Sequence, residues 1–148
     1  MKGSIILGCA LTLAFALQLG CAATLSDPDG RENSLEEIQR KYTQLIRWGE
    51  IERASVFVDP TQREGFLSYT DAFESIRITD FDTGELAFDE EAETATVEVT
   101  YHAYSLITML EKKIRANQEW YREEGLENSW RVQPELEGIV HALHGEPR

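Results

Sequence analysis

The chain has 148 residues, of which 28% are charged, and a formal net charge of −13 at neutral pH. A surface this acidic argues against a nucleic-acid partner, because phosphates call for basic patches, and against electrostatic docking on anionic lipid. The two cysteines are Cys9 and Cys21, and both fall in or beside an amino-terminal apolar stretch. Disulfide bonds are therefore not expected to hold the fold.

The first twenty residues have the layout of a secretory signal peptide. "MKGS" carries one positive charge, an apolar stretch follows from Ile5 to Leu19, and small residues end it. A spanning helix needs about 20 apolar residues, so this shorter run predicts a cleaved signal rather than a retained anchor. Removal of residues 1–20 deletes Lys2 and no acid, which takes the formal charge from −13 to −14.

The stretch "QLGC", Gln18 to Cys21, resembles the lipobox of bacterial lipoproteins, whose cysteine receives a diacylglyceryl group before cleavage. Gly20 and Cys21 match that pattern, whereas Gln18 stands where the family usually has Leu. The resemblance implies attachment of acyl chains such as palmitate at Cys21. The alternative is ordinary cleavage after Ala23, which would release a soluble periplasmic protein. A lone thiol in an oxidising compartment invites unwanted pairing, and acylation would cap it.

The residues after Cys21 predict where the anchor holds the chain. Ala22 stands where an inner-membrane retention signal usually shows Asp, so the resemblance implies the periplasmic face of the outer membrane. Residues 21–33 include "TLSDPDGRENS", whose composition predicts a short flexible tether. The remaining residues, 34–148, have the size of one domain.

The first half of this domain is predicted to be helical. In "NSLEEIQRKYTQLIRWGE", Ser34 and Glu37 have the spacing of a capping box, and Gly49 is placed to end the helix. "IERASVFV" predicts a short second helix, and "DPTQREGFLSYTDAF" predicts a third, with Asp59 as its cap and Pro60 in its first turn. The apolar face of the first helix is formed by Ile38, Tyr42, Leu45 and Ile46.

From Ser75 onward, alternation of apolar and polar residues predicts strands. "SIRITDFDTGELAFD" predicts a strand with a bend at Thr83 and Gly84, and "NSWRVQP" predicts a last strand that ends at Pro134. "TATVEVTYHAY" predicts a strand whose inward face is formed by Val97, Val99, Tyr101 and Ala103. "LEKKIRANQEWYREEG" predicts another, with one face formed by Leu110, Ile114, Ala116 and Trp120.

This order predicts an α+β fold, with amino-terminal helices packed on one face of a curved antiparallel sheet of about four strands. Most of Ser34 to Pro134 resembles the nuclear transport factor 2-like superfamily, also called cystatin-like cones. The resemblance rests on the helical half that ends near Phe73, on the long strands after it, and on "EWYREEGLENSWRV", which is similar to that superfamily's closing hairpin. It implies a sheet that encloses a pocket against the helices.

Catalytic residues are not assigned. A site of the ketosteroid isomerase type needs an acid as base and a Tyr with an acid as oxyanion donors. The predicted inward face offers Tyr101, whereas Asp80 and Asp82 fall in a turn or at an edge. Tyr101, Trp120 and Trp130 are weak candidates for lining a ligand pocket, because such aromatic residues more often belong to the core.

No metal or cofactor is predicted. "HALH" places His141 and His144 three residues apart with Glu137 one turn before, a spacing that can hold zinc on a helix. A solvent-exposed tail is the preferred interpretation, because such sites are rare. "DFDTG" lacks the spacing of a calcium loop, and His102 falls on the polar face of its strand.

Two functions from different classes remain open. The favoured one is a noncatalytic binding or assembly module, tethered to the outer membrane, that holds an envelope protein or a second copy of itself. The alternative is a small enzyme or apolar-ligand binder that uses the interior of the cone, which requires a cavity lined by convergent polar groups. The first is favoured because the predicted inward residues are packing material.

Overall fold

The computed structural model of the protein describes residues 30–123 and 129–144. The predicted signal peptide, Cys21 and residues 22–29 of the predicted tether lie outside the described residues. Helices are α1 (Arg31–Arg47), α2 (Ile51–Ala54), α3 (Arg63–Leu67), α4 (Thr70–Glu74) and α5 (Leu136–His144), with a 3-10 helix at Ser55–Phe57. Strands are β1 (Ile76–Thr83), β2 (Ala87–Phe88), β3 (Thr94–Ser105), β4 (Lys112–Arg122) and β5 (Trp130–Gln133).

The strands form one antiparallel sheet in the order β1-β3-β4-β5. The long strand β3 pairs with β1 toward its carboxyl end, where Ile76 lies opposite Ser105, and with β2 toward its amino end, where Ala87 lies opposite Thr96. Strand β1 ends at Thr83, where the bend was predicted, and β2 begins four residues later. The register between β1 and β3 shifts once within β1. The predicted α+β fold, with helices on a curved antiparallel sheet, is confirmed.

The inner face of the sheet and the apolar face of α1 form the core. The inward residues predicted on β3 are confirmed, since each is at most 2% exposed: Val97, Val99, Tyr101 and Ala103. On β4 the prediction holds for Ile114 and Trp120, but Leu110 precedes the strand and is 66% exposed. Leu110 was misplaced because the β3–β4 turn extends beyond it to β4, which begins at Lys112.

Helix α1 begins earlier than the predicted capping box. Its first residue is Arg31, in the stretch assigned to the tether, and Gly30 precedes it with φ +64°. The Ser34 hydroxyl donates to the Arg31 carbonyl oxygen at 3.0 Å and accepts from the Trp130 indole at 3.0 Å. The capping-box prediction was therefore wrong, because Ser34 lies within the helix and makes a tertiary contact instead.

The carboxyl end of α1 follows the prediction. Gly49 has φ +71°, and its amide donates to the Ile46 carbonyl at 3.0 Å, while the Glu50 amide donates to the Leu45 carbonyl at 2.9 Å. This pair of bonds is a Schellman motif, which satisfies carbonyls that the helix leaves unpaired. Glycine suits the position because it adopts positive φ without steric cost.

The predicted third helix differs at its start. The Asp59 carboxylate accepts from the Thr61 amide at 2.7 Å and from the Thr61 hydroxyl at 2.6 Å. These bonds stabilise a turn, and α3 starts only at Arg63, so Asp59 is not a helix cap. The helical stretch also divides into α3 and α4 rather than continuing to Phe73 as one element.

The carboxyl-terminal segment is a packed helix rather than a solvent-exposed tail. Leu136, Ile139 and Leu143 of α5 are at most 4% exposed and lie in the core, while His141 and His144 point to the exposed side. Amphipathic spacing of the three apolar residues explains the packing. Within residues 30–123 and 129–144, no helix has the length and apolar character needed to cross a membrane.

Candidate functional site

Six polar side chains meet inside the fold, between α1 and the sheet. Three come from successive turns of α1, two from the inner face of the sheet and one from the loop before α5: Gln39, Tyr42, Thr43, Tyr101, Gln118 and Glu135. We call this set the interior polar cluster. Helical spacing on α1 and alternation along the strands bring the first five inward.

The carboxylate of Glu135 is held at one end of the interior polar cluster. Its Oε2 accepts from the Tyr42 hydroxyl at 3.0 Å, and its Oε1 accepts from the Tyr101 hydroxyl at 3.1 Å and the Gln118 amide at 3.1 Å. Both tyrosines and Gln118 are fully buried. The carboxylate thus has three protein donors in place of water.

Gln118 connects Glu135 to the rest of the cluster. Its Nε2 also lies 3.1 Å from Thr43 Oγ1 and 3.2 Å from the Tyr101 hydroxyl oxygen. Its Oε1 accepts from Gln39 Nε2 at 3.1 Å and from the Trp120 indole at 3.3 Å. The amide of Gln118 is therefore saturated by side chains of the protein.

Burial dominates the ionisation of the interior polar cluster. It raises the pKa of Glu135, an effect opposed by the hydrogen bonds from Tyr42, Gln118 and Tyr101. It also raises the pKa of both tyrosines well above their ordinary value, with the negative charge of Glu135 adding to the effect. A carboxyl group of raised pKa beside two hydroxyls is chemically suited to proton transfer, provided that a substrate reaches it.

The surroundings of Glu135 are packed. Leu136 and Ile139, which follow it on α5, are 1% and 0% exposed. The three aromatic residues named as weak pocket candidates are at most 2% exposed: Tyr101, Trp120 and Trp130. The structure places Tyr101 in the interior polar cluster, Trp120 against Gln118 and Trp130 against Ser34.

An open groove lies on the outside, between the amino-terminal half of α1 and the segment that joins β1 to β2. Its volume is about 910 Å³, which is within the range of ligand sites. Gln39, 4% exposed, lines this groove and also donates to Gln118, so it connects the groove with the interior polar cluster. We call it the α1–β2 groove.

The lining of the α1–β2 groove combines an apolar wall with acidic residues. The apolar side chains come from β1, from the segment that joins β1 to β2, and from β2: Phe81, Leu86 and Phe88. Four acidic residues and one basic residue also line the groove, so its lining has a formal charge of −3: Glu32, Glu36, Glu37, Glu85 and Arg40. Such a lining suits a ligand that carries both a positive group and an apolar part.

The other titratable residues considered in the sequence analysis belong neither to the interior polar cluster nor to the α1–β2 groove. The side chain of Asp80 is 72% exposed and lies 3.8 Å from Arg47, and that of Asp82 is 81% exposed and lies 3.5 Å from His102. His102 itself is on the outer face of the sheet, with 21% of its side chain exposed. In the described part of the chain, no three His, Cys, Asp or Glu side chains are grouped to hold a metal ion.

Sequence reasoning missed most of the interior polar cluster. Gln118 had a usable signal, because alternation on β4 places it inward between Ala116 and Trp120. Glu135 follows Pro134 in a stretch without periodicity, so nothing in the sequence marked it as interior. Thr43 and Gln39 were passed over because only apolar residues were assigned to the buried face of α1.

The chain matches no protein-family model and no curated protein. Among solved structures, it is similar to a protein named a "putative polyketide cyclase" from Xanthomonas campestris pv. campestris, with a TM-score of 0.49 and 10% sequence identity. The match covers 74% of this chain and 96% of that chain. Similarity at this level says nothing about the ligand or activity of this protein.

Proposed function

We propose that this protein is a noncatalytic binding module that holds its ligand in the α1–β2 groove, with its cone closed to substrates. The observation that carries the proposal is the contrast between the two polar regions. The interior polar cluster is hydrogen-bonded within itself, and its two tyrosines and Gln118 are fully buried, whereas the groove is open and about 910 Å³ in volume. A ligand can enter the groove without any rearrangement of the core.

The lining of the groove favours one class of ligand, a basic and partly apolar segment of an envelope protein. The acids Glu36 and Glu37 are exposed on α1, and Glu85 is exposed on the opposite side. A positive group between them gains electrostatic attraction, while an apolar chain packs on Phe81 and Leu86. A ligand that carries both a positive group and an apolar chain therefore binds more tightly than one that carries only one of them.

A matched pair of small probes tests the groove. Octylamine and octanoate have the same alkyl chain and opposite charge, so calorimetric titration of each isolates the contribution of the acids. We expect octylamine to bind more tightly, and Glu36→Gln combined with Glu85→Gln to remove the difference. Glu119→Gln, an exposed acid on β4, is the control and should leave it intact. Equal affinity of the two probes for the unaltered protein would contradict the proposal.

We further propose that the module is tethered to the periplasmic face of the outer membrane through acylated Cys21. The support is the resemblance of "QLGC" to a lipobox and the apolar stretch before it. Firm anchoring takes more than one acyl chain, and mature bacterial lipoproteins typically carry three. The intact mass and amino-terminal peptide of the protein from washed membranes test this point: a peptide that begins at Cys21 with added acyl mass supports it. An unmodified peptide that begins near Thr24 would contradict it.

A second candidate, acid–base chemistry at Glu135, is favoured by one observation. The carboxyl group has a raised pKa and lies between the Tyr42 and Tyr101 hydroxyls. Its neighbours Tyr42, Tyr101 and Gln118 are fully buried, so we expect a substrate to reach it only when α5, which begins at the next residue, moves away from the core. Hydrogen exchange decides between the two: this candidate requires amides of α5 that exchange much faster than those of β3. Equal protection of α5 and β3 would rule it out.

A further inference from the structure

The turn between β3 and β4 presents a cluster of apolar side chains to solvent. Among the residues that the structure describes, six large apolar side chains are exposed, and four of them fall within this one turn. Their exposed fractions are 43%, 80%, 66% and 66%, for Leu106, Ile107, Met109 and Leu110 in that order. We call these residues the apolar turn.

Four backbone N–H groups of the apolar turn are already hydrogen-bonded within the protein. Ser105, which is fully buried, accepts from the Thr108 amide at 3.2 Å and the Met109 amide at 2.8 Å through its carbonyl oxygen. Its hydroxyl accepts from the Ile107 amide at 3.2 Å, and the Ser75 carbonyl accepts from the Leu106 amide at 2.8 Å. The N–H groups of residues 106–109 thus need no water, which lowers the cost of placing this part of the backbone in an apolar phase.

Charge differs between the two ends of the sheet. Two lysines follow the apolar turn: Lys112 donates to the Ala142 carbonyl, and Lys113 is exposed on the outer face of the sheet. The Glu111 carboxylate, which precedes them, accepts a hydrogen bond from the Thr79 hydroxyl at 3.0 Å. The opposite end of β3 is about 36 Å away at ~3.3 Å per residue. Exposed acids lie there: Glu85, Asp89, Glu90, Glu91 and Glu93. A group of five exposed acids thus lies at the end of the sheet opposite the apolar turn, whereas Lys112 and Lys113 adjoin the turn itself.

An exposed tryptophan lies toward the same end of the sheet. Trp48 is 71% exposed, and the adjoining Arg47 donates to the Thr79 carbonyl at 2.7 Å. Thr79 in turn contacts Glu111 beside the apolar turn. Tryptophan and basic residues are characteristic of the water–lipid boundary.

We propose that the apolar turn inserts into the interface of a bilayer that contains anionic lipid. Four apolar side chains on a projecting turn fall short of the roughly 20–30 residues per side of a standard protein interface, whereas a fluid bilayer needs no matching cleft. The adjacent lysines complement anionic headgroups. The acidic character of the whole chain is offset here by the two adjoining lysines, and the run of exposed acids from Asp89 to Glu93 lies at the opposite end of the sheet.

The contact is compatible with attachment at Cys21, although it does not depend on it. Cys21 and Gly30 are nine residues apart, a separation that spans at most about 30 Å. Since α1 begins near the acidic end, where Arg31 contacts Glu93 at 2.9 Å, one bilayer can reach both places when β3 is tilted. The domain would then be held to the membrane at two points.

Site-specific labelling tests the proposal. The full chain is labelled with a thiol-reactive NBD dye at Ile107→Cys, and at Val56→Cys as the control, an apolar position 54% exposed outside the apolar turn. The unsubstituted chain, carried through the same labelling, gives the background from Cys9 and Cys21. The emission of each label is recorded with vesicles of phosphatidylcholine alone and with phosphatidylglycerol added.

We expect a severalfold, blue-shifted rise in emission at position 107 with the mixed vesicles and no comparable change at position 56. Replacement of Lys112 and Lys113 by Gln should reduce the rise at position 107. Emission at position 107 that does not change with vesicles would overturn the proposal, as would an equal rise in emission at both positions. A rise that requires an added protein and not vesicles would also overturn it, in favour of a protein partner.

Discussion

The Glu135 carboxylate accepts a hydrogen bond from the Tyr42 hydroxyl at 3.0 Å, across 93 positions of the sequence. Through this bond the loop before α5 is joined to the middle of α1. Because α5 begins at the next residue, the same contact fixes the helix that covers the interior. We therefore expect the interior polar cluster to help hold α5 in place. Four predictions test the cluster, the end of α1 and the packing of α5.

Glu135→Gln should make the free energy of unfolding less dependent on pH. Burial raises the pKa of Glu135 from its ordinary 4.5, so between that value and the raised one the folded state holds a proton that the unfolded state releases. The free energy of unfolding of the unaltered protein therefore falls as pH rises through this window, and the variant lacks this contribution.

Urea unfolding of both proteins from about pH 4 to about pH 7 measures the effect. The stability of the variant relative to the unaltered protein should increase as pH rises. Glu137→Gln, an exposed position one turn into α5, is the control. A difference between Glu135→Gln and the unaltered protein that is constant over this range would contradict the prediction.

Gln118→Leu should lower the free energy of unfolding by about 1–3 kcal/mol, the usual cost of leaving buried polar partners unsatisfied. Five partners lose a hydrogen bond: Thr43, Gln39, Tyr101, Trp120 and the Glu135 carboxylate. Asn117→Leu introduces the same side chain at the adjacent exposed position and should change stability little. Equal effects of the two substitutions in chemical denaturation would show that the cluster is not stabilising.

Gly49→Ala should destabilise the protein by about 1 kcal/mol, because a side chain disfavours positive φ. Gly49 has φ +71° and no heavy atom within 4 Å of an added Cβ, so the cost is conformational and not steric. Gly65→Ala, which also has open space but lies within α3, should leave the melting temperature equal or slightly higher. A similar loss at both positions would argue against the Schellman motif as the reason.

Ile139→Ala should lower the free energy of unfolding by about 2–5 kcal/mol, the range for truncation of a fully buried aliphatic residue. It should also speed hydrogen exchange across α5, because the helix packs on the core through this side chain. Val140→Ala, on the next and partly buried residue, should cost clearly less. If both substitutions have small and equal effects, α5 does not close the interior.

Sequence patterns predicted the structural elements that depend on the conformation of neighbouring residues. Alternation along β3 identified Val97 and Val99 as inward residues because every second side chain of a strand faces the same side. Gly49 marked the end of α1 because few other residues adopt positive φ at low cost. The order of helices and strands was sufficient for the fold class, since each layer must bury its apolar face against the other.

Long-range polar contacts were not predictable in the same way. Ser34 had the spacing of a cap, but the Trp130 indole, 96 positions away, uses its hydroxyl. Glu135 is an acid in a loop, and only its contacts with Tyr42 and Tyr101 make it interior. Such placements depend on where distant elements pack, which hydrophobic period alone does not specify.

Intermolecular NOEs between octylamine and the protein show where the ligand lies. We expect NOEs from the alkyl protons to Leu86 and Phe81, which line the α1–β2 groove. We expect none to Val99 and Ile139, which are fully buried in the core. NOEs to Val99 and Ile139 would mean that the ligand enters the cone, and would contradict a binding module whose interior is closed.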